Sequence, residues 1–223
     1  PSDKPELLIT LEKTICLCGF EPIETITKQF AAFGANLGSS VAEIVENALK
    51  IDQKVLNSLI EKMKCEENWL NKLKFREFVK CSQIHSDQGL LFFVILKLIT
   101  LEPRQALFIP AGVVHCYLKG FGVEIMKSSD NVLRCGLTSK LVDQEEFLKV
   151  MDPAREPQLF EKFQKFDQEF GVQFHREDFA AVPGICLVLS GKCTAGGETF
   201  VQGESFYCED SEVRVEGEVV MAW

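Results

Sequence analysis

The sequence predicts a mainly β chain with an α-helical insertion. Three observations carry that reading: β-tolerant apolar runs within residues 6–20, helical periodicity from 21 to 88, and short strands punctuated by glycine turns after 182. At 223 residues, 46% hydrophobic and 26% charged, the chain is long and apolar enough for one large domain or two small ones.

The elements follow in order. Glu6-Leu-Leu-Ile-Thr-Leu and Ile15-Cys-Leu-Cys-Gly-Phe20 read as strands, with a turn at Gly19. Ser40-Val-Ala-Glu43 is a capping box, in which the serine accepts from the glutamate amide and the glutamate reaches back. Behind it, Val41, Ile44, Val45, Ala48 and Leu49 fall at helical spacing; Val55, Leu56, Leu59, Ile60 and Met63 repeat the pattern. Leu70, Leu73, Phe78 and Val79 suggest a further helix, about four in the block. Past Asp87-Gln-Gly89 the run Leu91–Leu101 reads as β and stops at Pro103. Ala106–Ile109, His115–Leu118 and Val123–Met126 read as strands, with a Pro110-Ala-Gly112 turn between the first two. Asp143 opens a helix that puts Phe147, Leu148 and Met151 on one face. Residues 152–178 read as a polar crossing segment anchored by Phe160, Phe163 and Phe166, and strands from Val182 onward as a sandwich or barrel. The expected domains are residues 1–20 with 89–150, a β-barrel incomplete at its N-terminal side; 21–88, a helical insertion; and 151–223, a second β domain.

The charge is 24 − 33 = −9, which argues against binding a nucleic-acid phosphate backbone. The longest apolar run, Leu90 to Leu96, is seven residues, too short for a membrane span. Nine cysteines without a Cys-x-x-Cys pair point to free thiols in a reducing, cytoplasmic compartment. A monomer is the expected state.

Several residues could carry chemistry. His115 follows a Pro-Ala-Gly turn at a strand start, where barrel mouths are lined; it reads either as a ligand or as a strand histidine bonded to a carbonyl. Glu6, after Lys4-Pro5, reads on its own as a solvated carboxylate. Glu124 points away from Val123 and Ile125, so it faces either water or a barrel lumen. Asp130 and Asn131 read as turn residues. Arg134 and Lys140 are either solvated or an anion clamp. His85 and His175 read as exposed, and Cys16 and Cys18 as buried strand thiols rather than metal ligands.

Three segments together resemble the type I mannose-6-phosphate isomerase family. Lys4-Pro-Glu-Leu7 with Leu17-Cys-Gly-Phe20 is similar to its Lys-Pro-Glu strand and Leu-Cys-Gly-Phe. Ala106 through His115-Cys-Tyr117-Leu is similar to its Pro-His-Ala-Tyr-Leu segment. Val123-Glu124-Ile-Met-Lys-Ser-Ser-Asp130-Asn-Val-Leu-Arg134-Cys-Gly-Leu-Thr138-Ser-Lys140 is similar to its Ser-Asp-Asn…Arg-x-Gly-Leu-Thr-Pro-Lys stretch. The resemblance implies cupin-like barrels, the first of them catalytic, and a zinc-dependent interconversion of mannose 6-phosphate and fructose 6-phosphate through an enediol. It implies that Glu6 and His115 are two of four zinc ligands. Lys4, Tyr117, Glu124, Asp130, Arg134 and Lys140 would then line the phosphosugar pocket. Arg134, Glu124 and Asp130 are the candidates for the chemistry, and Lys4, Tyr117 and Lys140 for holding substrate. Arg134 suits developing enediolate charge or the phosphate, because it stays protonated. The proton shuttle is open between Glu124, Asp130, His115 and a zinc-bound water.

The sequence departs from the family pattern in places. No Gln-x-His-Pro motif, the source of the family's other two ligands, occurs in the chain. The chain is therefore expected to be the C-terminal majority of a longer isomerase, with a non-catalytic cupin-type sugar-binding or scaffold module, or an inactive fragment of the isomerase, as the alternative. Asp3 stands where the family has His, Val114 where it has Pro before the histidine, and Ser139 where it has Pro in Thr-Pro-Lys.

Overall fold

A computed structural model describes residues 3–65, 71–209 and 211–223. In chain order the elements are β1 (Glu6–Thr10), β2 (Thr14–Phe20), α1 (Ile23–Ala32), α2 (Val41–Leu49), α3 (Gln53–Cys65), α4 (Lys72–Cys81), α5 (Phe92–Ile95), β3 (Leu96–Leu101), β4 (Ala106–Ile109), β5 (His115–Lys119), β6 (Gly122–Met126) and α6 (Gln144–Val150). They continue with β7 (Gln158–Phe160), β8 (Lys165–Asp167), β9 (Gly171–His175), β10 (Phe179–Ala180), β11 (Gly184–Ala195), β12 (Glu198–Val201), β13 (Ser205–Cys208) and β14 (Glu212–Ala222).

Strands β6-β1-β4-β7 form one antiparallel sheet and β3-β2-β5 a second. Alternation along β1 decides what each face meets. Leu8 turns inward with Cys16, Cys18, Leu101, Leu107, Ile109 and Val113, which fill the space between the two sheets. Leu7 and Ile9 turn outward and pack with Ala106, Phe108, Phe163, Phe166, Val172 and Val220. That outer core joins the first sheet to the third, β12-β11-β14-β9-β8, with β13 on β11 and β10 on β14. The fold is mainly β with a helical block, as the sequence predicts.

The helices lie against the second sheet. Ile26, Phe30, Ile44, Ala48, Leu56, Met63 and Phe78 share a core with Leu17 and Val114. Ser40 caps α2 by accepting from the Glu43 amide at 3.2 Å, while the Glu43 carboxylate reaches back to the Ser39 amide and hydroxyl. A helix stands where Leu73, Phe78 and Val79 suggest one; Leu70 lies outside the described residues.

Three local expectations need correction. Leu91–Leu101 is not one strand: Gln88–Leu91 is a 3-10 turn, α5 follows, and only Leu96–Leu101 is extended. Phe92, Phe93, Val94 and Ile95 are all at most 2% exposed, and a run buried on every side carries no periodicity to separate helix from strand. Gly19 is not a turn but a bulge within β2, at φ 70°, where the pairing with β3 shifts between Leu17 and Phe20. The stretch 152–178 holds β7, β8 and β9, and β7 pairs with β4 of the first sheet. Short half-exposed strands such as these carry too little alternation to stand out in a polar sequence.

Candidate functional site

β1 and β6 lie side by side in the first sheet, and β5 edges the second. In the pairing of β1 with β6, Glu6 stands opposite Met126 and Leu8 opposite Glu124, so Glu6, Leu8 and Glu124 share the inward face. Val123 and Ile125 turn outward into the core shared with the third sheet. Both readings of Glu124 therefore hold in part: it points to the inner side of the barrel, at a mouth open enough to leave it exposed.

The Pro110-Ala-Gly112 turn delivers His115 to this mouth. Gly112 sits at φ 86°, and a Cβ there would stand 2.9 Å from the Val150 carbonyl, so only glycine fits without strain. The turn places the Val113 carbonyl 3.0 Å from His115 Nδ1. The Nδ1 N–H donates there, which fixes the ring and aims Nε2 at Glu6. His115 Nε2 lies 3.0 Å from Glu6 Oε2. Lys4 Nζ donates to the other oxygen, Oε1, at 2.9 Å.

Glu6 is 8% exposed. Burial pushes its pKa up, but the hydrogen bonds and charges of His115 and Lys4 outweigh that and hold it at about 2. Burial likewise opposes charge on His115, and the bonds to Glu6 and the Val113 carbonyl, with the nearby Glu6 and Glu124 charges, raise its pKa above the ordinary value. Beside this pair, Tyr117 donates its hydroxyl to Glu124 Oε1 at 2.6 Å, and its ring centroid is 5.6 Å from that of His115. Burial and the Glu124 carboxylate push the Tyr117 pKa far up, so the phenol stays a donor.

Five of the sequence candidates thus meet: Lys4, Glu6, His115, Tyr117 and Glu124. The other three lie on the irregular segment between β6 and α6. Asp130 and Lys140 are exposed and Arg134 is half-buried, and none of their side chains bonds to the five. That segment is anchored: Leu133, Cys135 and Leu137 pack on the helical core, and the Leu137 amide donates to Asp87 Oδ1 at 2.9 Å. Cys135 lies close enough to Cys116, the neighbour of His115, for one thiol to raise the pKa of the other. Arg134, between Leu133 and Cys135, makes no hydrogen bond or ion pair among the described residues.

The two thiols of β2 are inert by environment. Cys16 and Cys18 are both 0% exposed, and burial pushes Cys16 to about 12 and Cys18 further. His85 and His175, read as exposed, are half-buried; His175 stacks on Phe179 at 3.7 Å. The strand-histidine reading of His115 holds at Nδ1, whose carbonyl partner is Val113; sequence reasoning left that partner unnamed, because a backbone acceptor leaves no mark in residue identity.

The donor chemistry at Glu6 and His115 suits zinc, which takes carboxylate oxygen and imidazole nitrogen. Two donors make half a tetrahedral set, and among the described residues no group of three or more His, Cys, Asp or Glu is placed to hold a metal. The pair fits zinc as two members of a ligand set, not as a complete site.

No protein-family model matches the chain. It is 30% identical over 235 residues to a probable mannose-6-phosphate isomerase of Dictyostelium discoideum, covering 86% of this chain and 51% of that protein. It is 30% identical over 172 residues to the mannose-6-phosphate isomerase of Homo sapiens, covering 63% of this chain and 40% of that one. The chain spans about half the length of the curated relatives it matches. Among solved structures, a variant of phosphomannose isomerase from Salmonella typhimurium superposes with a TM-score of 0.82 at 20% identity, over 99% of this chain and 68% of that one. A mannose 6-phosphate isomerase bound with zinc and yttrium superposes with a TM-score of 0.78 at 19% identity, over 99% of this chain and 66% of that one. At these identities the superpositions establish a shared fold.

Proposed function

We propose, for a chain that is a homologue of the mannose-6-phosphate isomerases, that the intact protein interconverts mannose 6-phosphate and fructose 6-phosphate. The observation that carries this reading is the 3.0 Å approach of His115 to Glu6, which joins strands from two sheets at the same mouth as Tyr117 and Glu124.

In this reading the reaction moves a proton between C1 and C2 through an enediol, and each requirement has a candidate group. Glu6 and His115 would hold zinc, with the remaining donors supplied from outside the described residues. Bound there, zinc would polarise substrate oxygens. Glu124 is the carboxylate best placed to move the proton. It is fixed on a strand and oriented by the Tyr117 hydroxyl, whereas the Asp130 side chain is exposed on a loop and bonds to nothing among the described residues. Arg134, whose guanidinium has no protein partner among the described residues, would meet the enediolate charge or the phosphate, and Lys140 the phosphate. Lys4 orients Glu6 and presents a cation at the mouth. Free thiols at Cys16, Cys18 and the other cysteines support a reducing, cytoplasmic setting, and no helix among the described residues is long and apolar enough to cross a membrane.

Two metal donors rather than four stand together among the described residues, which favours a second reading for the chain on its own, a sugar-binding module without catalysis. A coupled assay on fructose 6-phosphate separates the two. Formation of mannose 6-phosphate by the intact, zinc-loaded protein is the expected result. Binding of fructose 6-phosphate without turnover would leave only the second reading.

A further inference from the structure

The segment between β6 and α6 carries Arg134 and has no regular structure, yet it is fastened to the helical block at Asp87. Asp87 precedes the 3-10 turn Gln88–Leu91 and caps it, with Oδ1 accepting from the Gly89 amide at 2.8 Å. The same oxygen accepts a second bond, from the Leu137 amide 50 residues on, at 2.9 Å. Capping the turn needs only the first of these bonds. The second reaches across the chain and holds the Arg134 segment by its backbone.

Two glycines let the backbones meet. A Cβ on Gly136 would stand 2.6 Å from both Asp87 Oδ1 and Gly89 Cα, and a Cβ on Gly89 would stand 2.7 Å from the Leu137 nitrogen. Leu137 itself is left-handed at φ 54°, a conformation costly outside glycine, so its surroundings must hold it there. The bond to Asp87 does so, together with the packing of Leu133, Cys135 and Leu137. These three share a core with Val114 and Leu118, which bracket His115 and Tyr117 in the chain. Arg134 lies between two of the anchored residues. Its guanidinium has no partner among the described residues, so no bond of its own fixes the side chain. Where it can reach is set by its backbone.

We propose that Asp87 is a positioning residue for Arg134: through Leu137 it fixes the backbone from which the guanidinium meets the substrate's charge. The inference rests on the isomerase reading above, and it gives the helical block a part in the reaction. A displacement of about 1 Å in such a group can cost about 10²-fold in rate, so a clamp remote from the reacting atoms can matter to turnover.

The test uses the intact, zinc-loaded protein. Asp87→Ala should lower kcat about 10–100-fold with zinc content unchanged. In an Arg134→Ala background the same change should cost no more than about twofold, because the group it positions is gone. Asp87→Asn keeps an oxygen for both amides and should stay within about threefold of the parent. Gly136→Ala pushes the segment off Gly89 while leaving Asp87 in place; it should lose turnover in the same way, again only when Arg134 is present. It carries the test if Asp87→Ala fails to fold. Amide exchange followed by NMR gives a readout apart from activity. The Leu137 amide should exchange at least about tenfold faster in Asp87→Ala and Gly136→Ala, while β11 amides keep the parent rate and show that the variants fold. An equal loss of kcat with and without Arg134, an Asp87→Asn variant that loses as much as Asp87→Ala, or unchanged Leu137 exchange would each overturn the proposal. A parent that does not isomerise would overturn the isomerase reading and the proposal with it, whereas an active parent that fails these tests would overturn the proposal alone.

Discussion

Lys74 offers the sharpest stability prediction. It is 1% exposed, inside the seam between the helices and the second sheet. Its ammonium meets Glu21 Oε1 at 3.0 Å and donates to the Leu96 carbonyl, so one side chain ties α4 to the end of β2 and the start of β3. Burial lowers its pKa, and the Glu21 charge and hydrogen bond only partly restore it. The two sides of such a pair respond differently when cut. Lys74→Met keeps the buried stem and removes the charge, and should fall within about 1.5 kcal/mol of the parent. Glu21→Ala leaves an ammonium buried on a single carbonyl. Loss of one partner of a buried pair costs about 3–5 kcal/mol, and since the Glu21 side chain is 23% exposed the expected cost here is about 2–3 kcal/mol. The sign with pH follows from the lowered pKa. Between that folded value and the unfolded value of about 10.4, the unfolded chain binds more protons, so stability rises with pH across this window. Glu21→Ala lowers the folded value further and should steepen the rise. Urea denaturation of the parent, both single variants and the double variant, at neutral pH and near pH 9.5, measures all of this. A Lys74→Met cost equal to or above that of Glu21→Ala, or no steeper pH response in Glu21→Ala, would refute the reasoning.

The remaining predictions concern the mouth, in the intact protein. His115→Ala should abolish zinc binding measured by metal analysis; unchanged zinc content would remove His115 from the ligand set. Arg134→Ala should keep its zinc and lose about 10²–10³ in turnover, and near-normal turnover would take Arg134 out of the chemistry. Tyr117→Phe removes the hydroxyl that orients Glu124; the bond is solvent-exposed, so melting should change little, while kcat should fall about tenfold, roughly 1.4 kcal/mol of barrier. Unaltered kcat would mean Glu124 is oriented by something else.

Sequence and structure agree most closely where a physical period or a local bond writes itself into residue order. The α2 cap at Ser40 is one case, since Ser and Glu at that spacing satisfy free amides in any context. The turn at Pro110-Ala-Gly112 is another, with Gly112 in the left-handed region. Leu91–Ile95 went the other way, because Phe92 through Ile95 are enclosed by Phe78, Phe147 and their neighbours and no polar face marks the helix. At the site, residue identity pointed to His115 and left Glu124 open, while Glu6, on its own a solvated carboxylate, came in only through the family resemblance; nothing pointed to their meeting. That depends on pairing across distant strands, Leu8 with Glu124 and Cys18 with His115. The Lys74–Glu21 and Asp87–Leu137 bonds were invisible for the same reason: each joins residues far apart in the chain.

The most direct test of the central claim is isomerase activity of the intact protein on fructose 6-phosphate, before chelation, after chelation and after zinc is returned, with Glu6→Ala alongside. The account predicts activity that disappears with the metal, returns with zinc, and stays absent in Glu6→Ala. Activity that survives chelation, or a Glu6→Ala variant that isomerises as well as the parent, would contradict it.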